Sequence, residues 1–401
     1  MSILDEIRTQ EAWQDFLAYQ KDRDRLSVPE EEQLRKFIEE KRYLPITAAM
    51  AFPLPAKRLI ARPGSSKKRV VYCYPEDETR VLKLVAFLLY RYDGRFAEGC
   101  CAFRRNVSAA AVLKKIAALE DLDGRFVLKL DIHDYFNSID TDLLGEMLGR
   151  VIDDDPALLA FLESLLKQDA CIFAGREVQE KRGAMAGVPV ASFFANVYLM
   201  DLDEQMEQRG ITYYRYSDDM LMLCRSEEEK QQCLALVEEV MREKKLELNP
   251  DKQFSSGPGE PFPFLGCQFD HGKIDLSDGA VAKLKRHIRR KAHKLHRQKE
   301  ISWKKKARAL IATMDHYFYD FFGTRAFTWS RYYFPVLSSD RGLKEIDAYM
   351  LEYLRYLYSG RHCKGNFAVS YQDLKKLGYT SLVHEFHTWR KEEERLRKQR
   401  S

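Results

Sequence analysis

The 401-residue chain lacks several features that would have set its class at once. No run of 18 apolar residues occurs, and the opening Met1-Ser2-Ile3-Leu4-Asp5-Glu6 has no basic-then-apolar pattern, which argues against a membrane span and a secretory leader. Eight cysteines are scattered, mostly inside apolar segments, with no C-x-x-C spacing, so reduced buried thiols fit better than disulfides or zinc. His384 and His387 can share a helix face, but no further ligand clusters with them. No internal repeat and no long low-complexity linker is present. A soluble cytoplasmic protein with a sizeable core is expected.

What is there is charge with an uneven distribution. The net charge is only +5, yet thirteen Lys or Arg stand between Lys283 and Arg308 against one acidic residue, Glu300. Leu284, Ile288, Ala292 and Leu295 form one helical stripe, leaving the basic residues on the other faces. Such a run is most often a solvated face. One sign over about seven turns, with interleaved histidines, favours phosphate contact instead.

The first 50 residues read as helical, with Ser27-x-x-Glu30 and Pro29 forming a capping box. Lys57, Arg58, Arg62, Lys67, Lys68 and Arg69 then surround Pro63-Gly64-Ser65-Ser66, a basic hairpin suited to a triphosphate or nucleic-acid backbone. Helices are expected around Glu78 to Tyr92 and Ser108 to Ala118, on either side of a loop holding Phe103-Arg104-Arg105-Asn106. Pro189 opens a helix expected to run to about Gln208, and Phe264 to Phe269 reads as one strand.

Two acidic features carry the chemistry. Phe126-Val127-Leu128-Lys129-Leu130 is a strongly apolar strand ending in Asp131, and a carboxylate there is costly unless it caps, pairs or binds metal. Tyr216-Ser217-Asp218-Asp219 lies between the apolar runs Ile211 to Arg215 and Met220 to Cys224, so it reads as a hairpin with acids at its tip. Carboxylates converging from separate elements are what two-metal nucleotidyl transfer requires.

In this order the blocks resemble the reverse transcriptases. Lys129 to Phe136 looks like that family's first acidic motif, Arg182 to Leu199 like the next, and Tyr216 to Asp219 like the catalytic hairpin. Leu248 to Lys252 resembles the lysine-bearing motif and Phe264-Leu265-Gly266 the primer grip. Arg69 to Pro75, with Asp77 and Arg80, is similar to bacterial fingers. The resemblance covers about residues 50 to 270.

It implies an α+β right-hand polymerase: a helical lead-in (1–50), fingers (51–124), a palm with an antiparallel sheet (125–275), and a basic helical thumb with the C-terminal segment (276–401). Asp131, Asp218 and Asp219, with the Ile132 carbonyl, would bind two Mg²⁺, with Mn²⁺ as a substitute. Phe136 would be the steric gate against a ribose 2′-hydroxyl; otherwise it is a core phenylalanine. Arg69, and less so Lys57, would grip the triphosphate, unless both are merely solvated. Lys252 would protonate leaving pyrophosphate or is a turn residue. Tyr216 would pack beneath the primer end or is a plain strand tyrosine, and Gly187 with Pro189 would shape the nucleotide floor. Arg104, Lys285, Arg286, Arg289, Arg290, Lys294, Phe264, Leu265 and Gly266 would meet nucleic acid.

The implied partners are an RNA template, a DNA primer and product, and deoxynucleoside triphosphates (dNTPs), with no membrane; self-association stays open. Met185-Ala186-Gly187 stands where group II intron enzymes carry Pro-Gln-Gly, Ala191-Ser192 where diversity-generating enzymes carry Ser-Gln, and the retron Val-Thr-Gly is missing. The remaining resemblance is to bacterial reverse transcriptases of phage defence and abortive infection, many of which are compact and work with a dedicated noncoding RNA. Untemplated or protein-primed synthesis on the same fold, and a catalytically idle RNA-binding scaffold, are the alternatives.

Overall fold

The computed structural model describes residues 1–23, 26–61, 68–181, 183–319 and 328–400. The turn Pro63 to Ser66, with Arg62, Lys67 and Arg182, lies outside them. Two compact units divide the chain: residues 1–112 with 121–260, and residues 113–120 with 261–401.

In the first unit the lead-in is helical, as expected. Ser27 caps Val28–Glu39, its N–H and hydroxyl both donating to Glu30 Oε2 at 2.9 and 2.6 Å. The buried rings of Trp13, Phe37 and Tyr43 centre this layer, with Trp13 5.3 Å from Phe37 and 5.0 Å from Tyr43. Strands β1 (Ala56–Ala61) and β2 (Lys68–Cys73) pair antiparallel, and β1 also meets β4 (Ala170–Phe173), which pairs with β5 (Arg176–Gln179).

The sheet that matters most has the order β6-β7-β3-β8. Its strands are β3 (Phe126–Asp131), β6 (Thr212–Tyr216), β7 (Asp219–Cys224) and β8 (Phe254–Ser256). Leu128, Leu130, Met220 and Met222 are buried on one face of the ladder and Val127, Leu221 and Leu223 on the other, which is why β3 and β7 read as near-continuous apolar runs. Each such side chain contributes about 1.5–3 kcal/mol on burial, so the register is strongly held.

The single helix expected from Pro189 to Gln208 is two helices, Ala191–Tyr198 and Met200–Gln208. Leu199, at φ −110° and ψ 12°, leaves helical geometry between them, and the apolar run gives no Gly or Pro to announce the break. Gly210 follows at φ +66° as the stop.

In the second unit, β9 (Phe262–Phe264), β10 (Cys267–Asp270) and β11 (Lys273–Leu276) form an antiparallel meander. The strand expected over Phe264 to Phe269 is therefore a hairpin turning at Leu265-Gly266, with φ of +48° and +78°. Gly266 is the turn's one local signal and leucine at positive φ is an unusual partner for it, so the sequence marks the turn only weakly. The turn is instead held by tertiary contact: Tyr332 donates to the Leu265 carbonyl at 3.0 Å, and the Tyr333 hydroxyl lies 2.4 Å from where a Cβ on Gly266 would stand.

Helix Asp278–His296 starts at Ser277, whose Oγ accepts from the Ala280 N–H, and buries Val281, Leu284, Ile288, Ala292 and Leu295. The basic run is not one rod of seven turns. It breaks after His296 and resumes as Trp303–Phe318. All eight cysteines are free thiols, and no helix among the described residues is long and apolar enough to cross a membrane.

Candidate active site

Asp131 and Asp219 are cross-strand partners at the end of the β3–β7 ladder, so their side chains leave the same face of the sheet. Tyr216 pairs with Asp219, leaving Ser217 and Asp218 as a two-residue turn with Ser217 at φ +65°. The Ile132 N–H donates to the Asp218 carbonyl at 3.1 Å, and the Asn249 N–H to the Asp131 carbonyl at 2.7 Å. Three segments far apart in sequence, 131–132, 217–219 and 249–252, are thereby locked by backbone bonds.

Asp131 is buried, and its carboxylate is fully engaged. Lys252 Nζ donates to both oxygens at 2.8 and 2.7 Å, and Asn249 Nδ2 to one of them at 3.2 Å. Lys129, two residues before Asp131 and so on the same face, lies with its ammonium 2.8 Å from Asp219 Oδ1. Burial and then the nearby Asp131 carboxylate push the Asp218 pKa up, with Lys252 opposing.

Among the described residues no group of three or more His, Cys, Asp or Glu side chains is gathered closely enough to hold an ion. Ammonium groups stand on Asp131 and Asp219 instead. The donor set nonetheless suits a hard divalent cation, because it is made of oxygen donors alone and because Asp131 and Asp218 already repel one another. A cation entering here would displace lysine.

Around these groups opens a cavity of about 1410 Å³ lined by Asp131, Ile132, Phe136, Gly187, Asp218 and Lys252, with Arg69 and Lys68 on its β2 wall. Phe136 lies with its ring 6.3 Å from that of Phe103. Its carbonyl accepts from Ala184 N–H at 2.8 Å, and a Cβ on Gly183, at φ +57°, would sit 2.4 Å from that oxygen. Glycine is required there. Gly187, at φ +100°, lets its loop approach β2, where Ala186 accepts from the Tyr72 N–H at 2.8 Å.

Other expected site residues stand elsewhere. Lys57 is ion-paired with Glu180 and lies over the Phe173 ring, and it is not among the lining residues. Tyr216 lines a neighbouring cavity of about 760 Å³, which shares Phe103, Pro189 and Ser192 with the first. Arg104 spends its guanidinium on the carbonyls of Asp93, Ala97 and Cys100 at 2.9–3.2 Å. In the second unit, Phe264 is buried and Leu265-Gly266 form the turn described above. Arg286, Arg289, Arg290 and Lys294 are exposed, whereas Lys285 is half-buried, paired with Glu345 and set over Tyr349.

The sequence assigns no individual role to Lys129, Asn249 or the buried pair Arg215 and Asp203. Lys129 was legible in principle from its spacing to Asp131. Arg215 and Asp203 were not, because nothing local tells a strand arginine that its partner is on the preceding helix.

Residues 60–269, slightly more than half of the chain, match the family model described as "Reverse transcriptase (RNA-dependent DNA polymerase)". The Retron Ec83 reverse transcriptase of Escherichia coli is 31% identical over 102 residues, which are 24% of this chain and 31% of that protein, so the chain matches under a third of that relative's length. Among solved structures, a Candida albicans telomerase in complex with a TWJ fragment of telomeric RNA aligns at 11% identity and TM-score 0.46, covering 86% of this chain and 68% of that one. An apo telomerase from Candida tropicalis aligns at 10% identity and TM-score 0.47, covering 82% and 68%. With Asp131 and Asp219 paired on one sheet face and the family model spanning β2 to β10, the chain belongs to the reverse transcriptase (RNA-dependent DNA polymerase) family.

Proposed function

We propose that this protein is an RNA-directed DNA polymerase that adds dNTPs to a primer 3′-hydroxyl. The observation that carries the reading is the pairing of Asp131 with Asp219 beside the half-buried Asp218, with Asp131 and Asp218 lining a cavity that also holds Phe136, Arg69 and Lys252. Asp131, Asp218 and Asp219, with the Ile132 carbonyl, would hold two Mg²⁺, or Mn²⁺ in their place. Bound there, the ions supply activation of the 3′-hydroxyl and neutralisation of charge on the leaving pyrophosphate.

The chain's own residues do the rest. The Arg69 guanidinium can fork onto phosphate oxygens. Phe136 excludes a ribose 2′-hydroxyl from the cavity. Lys252, released from Asp131, is a proton donor for pyrophosphate. Fingers over 51–124, palm over 125–275 and a thumb over 276–401 are the corresponding assignments, with Arg286, Arg289, Arg290 and Lys294 meeting nucleic-acid phosphates. A bacterial enzyme that copies a structured noncoding RNA in phage defence, in the cytoplasm, is the role that the sequence resemblance supports.

The test is primer extension on an RNA homopolymer with dNTPs and Mg²⁺, comparing wild type with Asp218→Ala and Asp219→Ala. Synthesis that depends on template and stops in both variants is expected. Synthesis persisting in either variant sinks the assignment of the carboxylates, and product unrelated to the template points to untemplated addition. Sequencing RNA copurified from the native host identifies the template.

A further inference from the structure

Arg215 and Asp203 are buried side by side behind the catalytic turn, the arginine 0% and the aspartate 1% exposed. Arg215 is in β6, two residues before Ser217, and Asp203 is in helix Met200–Gln208. The guanidinium donates from Nε to Asp203 Oδ1 at 2.8 Å and from Nη2 to Asp203 Oδ2 at 2.5 Å, with Cys100 Sγ accepting at 3.3 Å. Backbone bonds fix the arginine further, its N–H donating to the Gly99 carbonyl at 2.7 Å and its carbonyl accepting from Cys101 N–H at 2.8 Å.

Stability is a poor reason for such a pair. Desolvating two charges is expensive, and well-packed apolar residues of similar volume often serve a core as well or better. The pair has one further contact that apolar residues would lack. Arg215 Nη1 donates to the Ser217 carbonyl at 3.2 Å.

Ser217 is the non-glycine residue at φ +65°, a backbone region that needs outside support in a side-chain-bearing residue. Its carbonyl belongs to the peptide that ends at the Asp218 nitrogen, so fixing that oxygen fixes the plane from which the Asp218 Cα and carboxylate depart. On the other side of the turn the Asp218 carbonyl is held by Ile132 N–H. The turn is clamped from both ends.

We propose that Arg215, oriented by Asp203, is a positioning residue that sets the Ser217–Asp218 peptide and with it the Asp218 carboxylate. This rests on the polymerase reading for its kinetic consequence, but not for its effect on cation binding. Asp203 holds the fork in place with two parallel bonds, leaving the third nitrogen directed at the turn.

The test compares wild type with the double variant R215M/D203L, which removes both charges while keeping apolar volume, and with R215K. Lysine keeps the charge but lacks the fork needed to reach Asp203 and Ser217 together. Three readouts are taken: thermal unfolding, Mn²⁺ binding by electron paramagnetic resonance, and primer-extension kinetics. The expected result is a folded double variant with dNTP KM near wild type, kcat lower by about 10- to 100-fold, and Mn²⁺ bound several-fold more weakly. R215K is expected to fold and to lose kcat in the same direction.

A folded double variant with wild-type kcat and Mn²⁺ affinity overturns the inference. So does a loss of activity no greater than the loss of folded protein. If the double variant does not fold, R215K decides alone; if neither folds, the pair is a folding requirement and the inference falls. Absence of synthesis in wild type would sink the polymerase reading instead, with Mn²⁺ binding still deciding the role of Arg215.

Discussion

Replacing Lys252 with methionine should tighten divalent-cation binding while slowing turnover. In the structure the Lys252 ammonium contacts both Asp131 oxygens at 2.7–2.8 Å, and the carboxylate is 4% exposed against 51% for the lysine. That places the pair between a surface ion pair, worth about 0.2–1 kcal/mol, and a buried one, whose disruption costs about 3–5 kcal/mol. A value of about 1–2 kcal/mol follows, and since every 1.4 kcal/mol is tenfold, removing the competing ammonium should raise cation affinity by about 5- to 30-fold.

Methionine keeps most of the stem length and leaves the Asn249 bond to Asp131 in place. Mn²⁺ titration followed by electron paramagnetic resonance, at fixed ionic strength, reads the affinity directly. Without divalent ion the variant should melt earlier than wild type, because a buried carboxylate has lost its cation, and Mn²⁺ should raise its melting temperature more steeply. Unchanged or weaker Mn²⁺ binding in the variant would refute the reasoning, since the lysine would then not stand in the cation's place.

Four further outcomes are expected. Asp218 has its pKa raised in the fold, so its contribution is fully present below the ordinary aspartate value, about 3.9, and is lost as pH rises through the folded value; Asp218→Asn should therefore melt higher than wild type at pH 7.5 and lose that advantage towards pH 4, and an equal or lower melting temperature at pH 7.5 would contradict this. Gly183→Ala should cost at least about 1–2 kcal/mol in urea unfolding, because left-handed backbone is penalised and the new Cβ meets the Phe136 carbonyl; a wild-type midpoint would disprove the clash. Phe136→Ala should lower discrimination between dNTPs and ribonucleotides by about 10- to 200-fold, and an unchanged ratio in competition assays removes the gate. Replacing Arg286, Arg290 and Lys294 together with glutamine should flatten the logarithmic salt dependence of template–primer binding by about 0.9 per lost phosphate contact, and an unaltered slope takes that face out of the interface.

The elements around the site were legible for reasons that can be named. β3 and the β6–β7 hairpin are short apolar runs bounded by breakers, and the capping box at Ser27 is a local pattern with a local cause. Where the reading failed, the cause was nonlocal. The helix break at Leu199 and the turn at Leu265-Gly266 carry weak turn chemistry and are held by packing and by Tyr332 and Tyr333. Lys57 looked as available as Arg69, since both are cations flanking the same hairpin turn, yet only Arg69 lines the cavity while Lys57 meets Glu180 across the neighbouring strands.

By itself the sequence determined which carboxylates, aromatic rings and lysines the chain owns and in what order, because side-chain type and strand alternation are written locally. Only the tertiary structure decided that Asp131 faces Asp219 in register, that lysines 129 and 252 stand on those acids, and that a buried Arg215–Asp203 pair backs the turn. Those facts depend on which strands become neighbours, and hydrogen-bonded register and the pairing of buried charges are properties of the assembled sheet rather than of any segment in it.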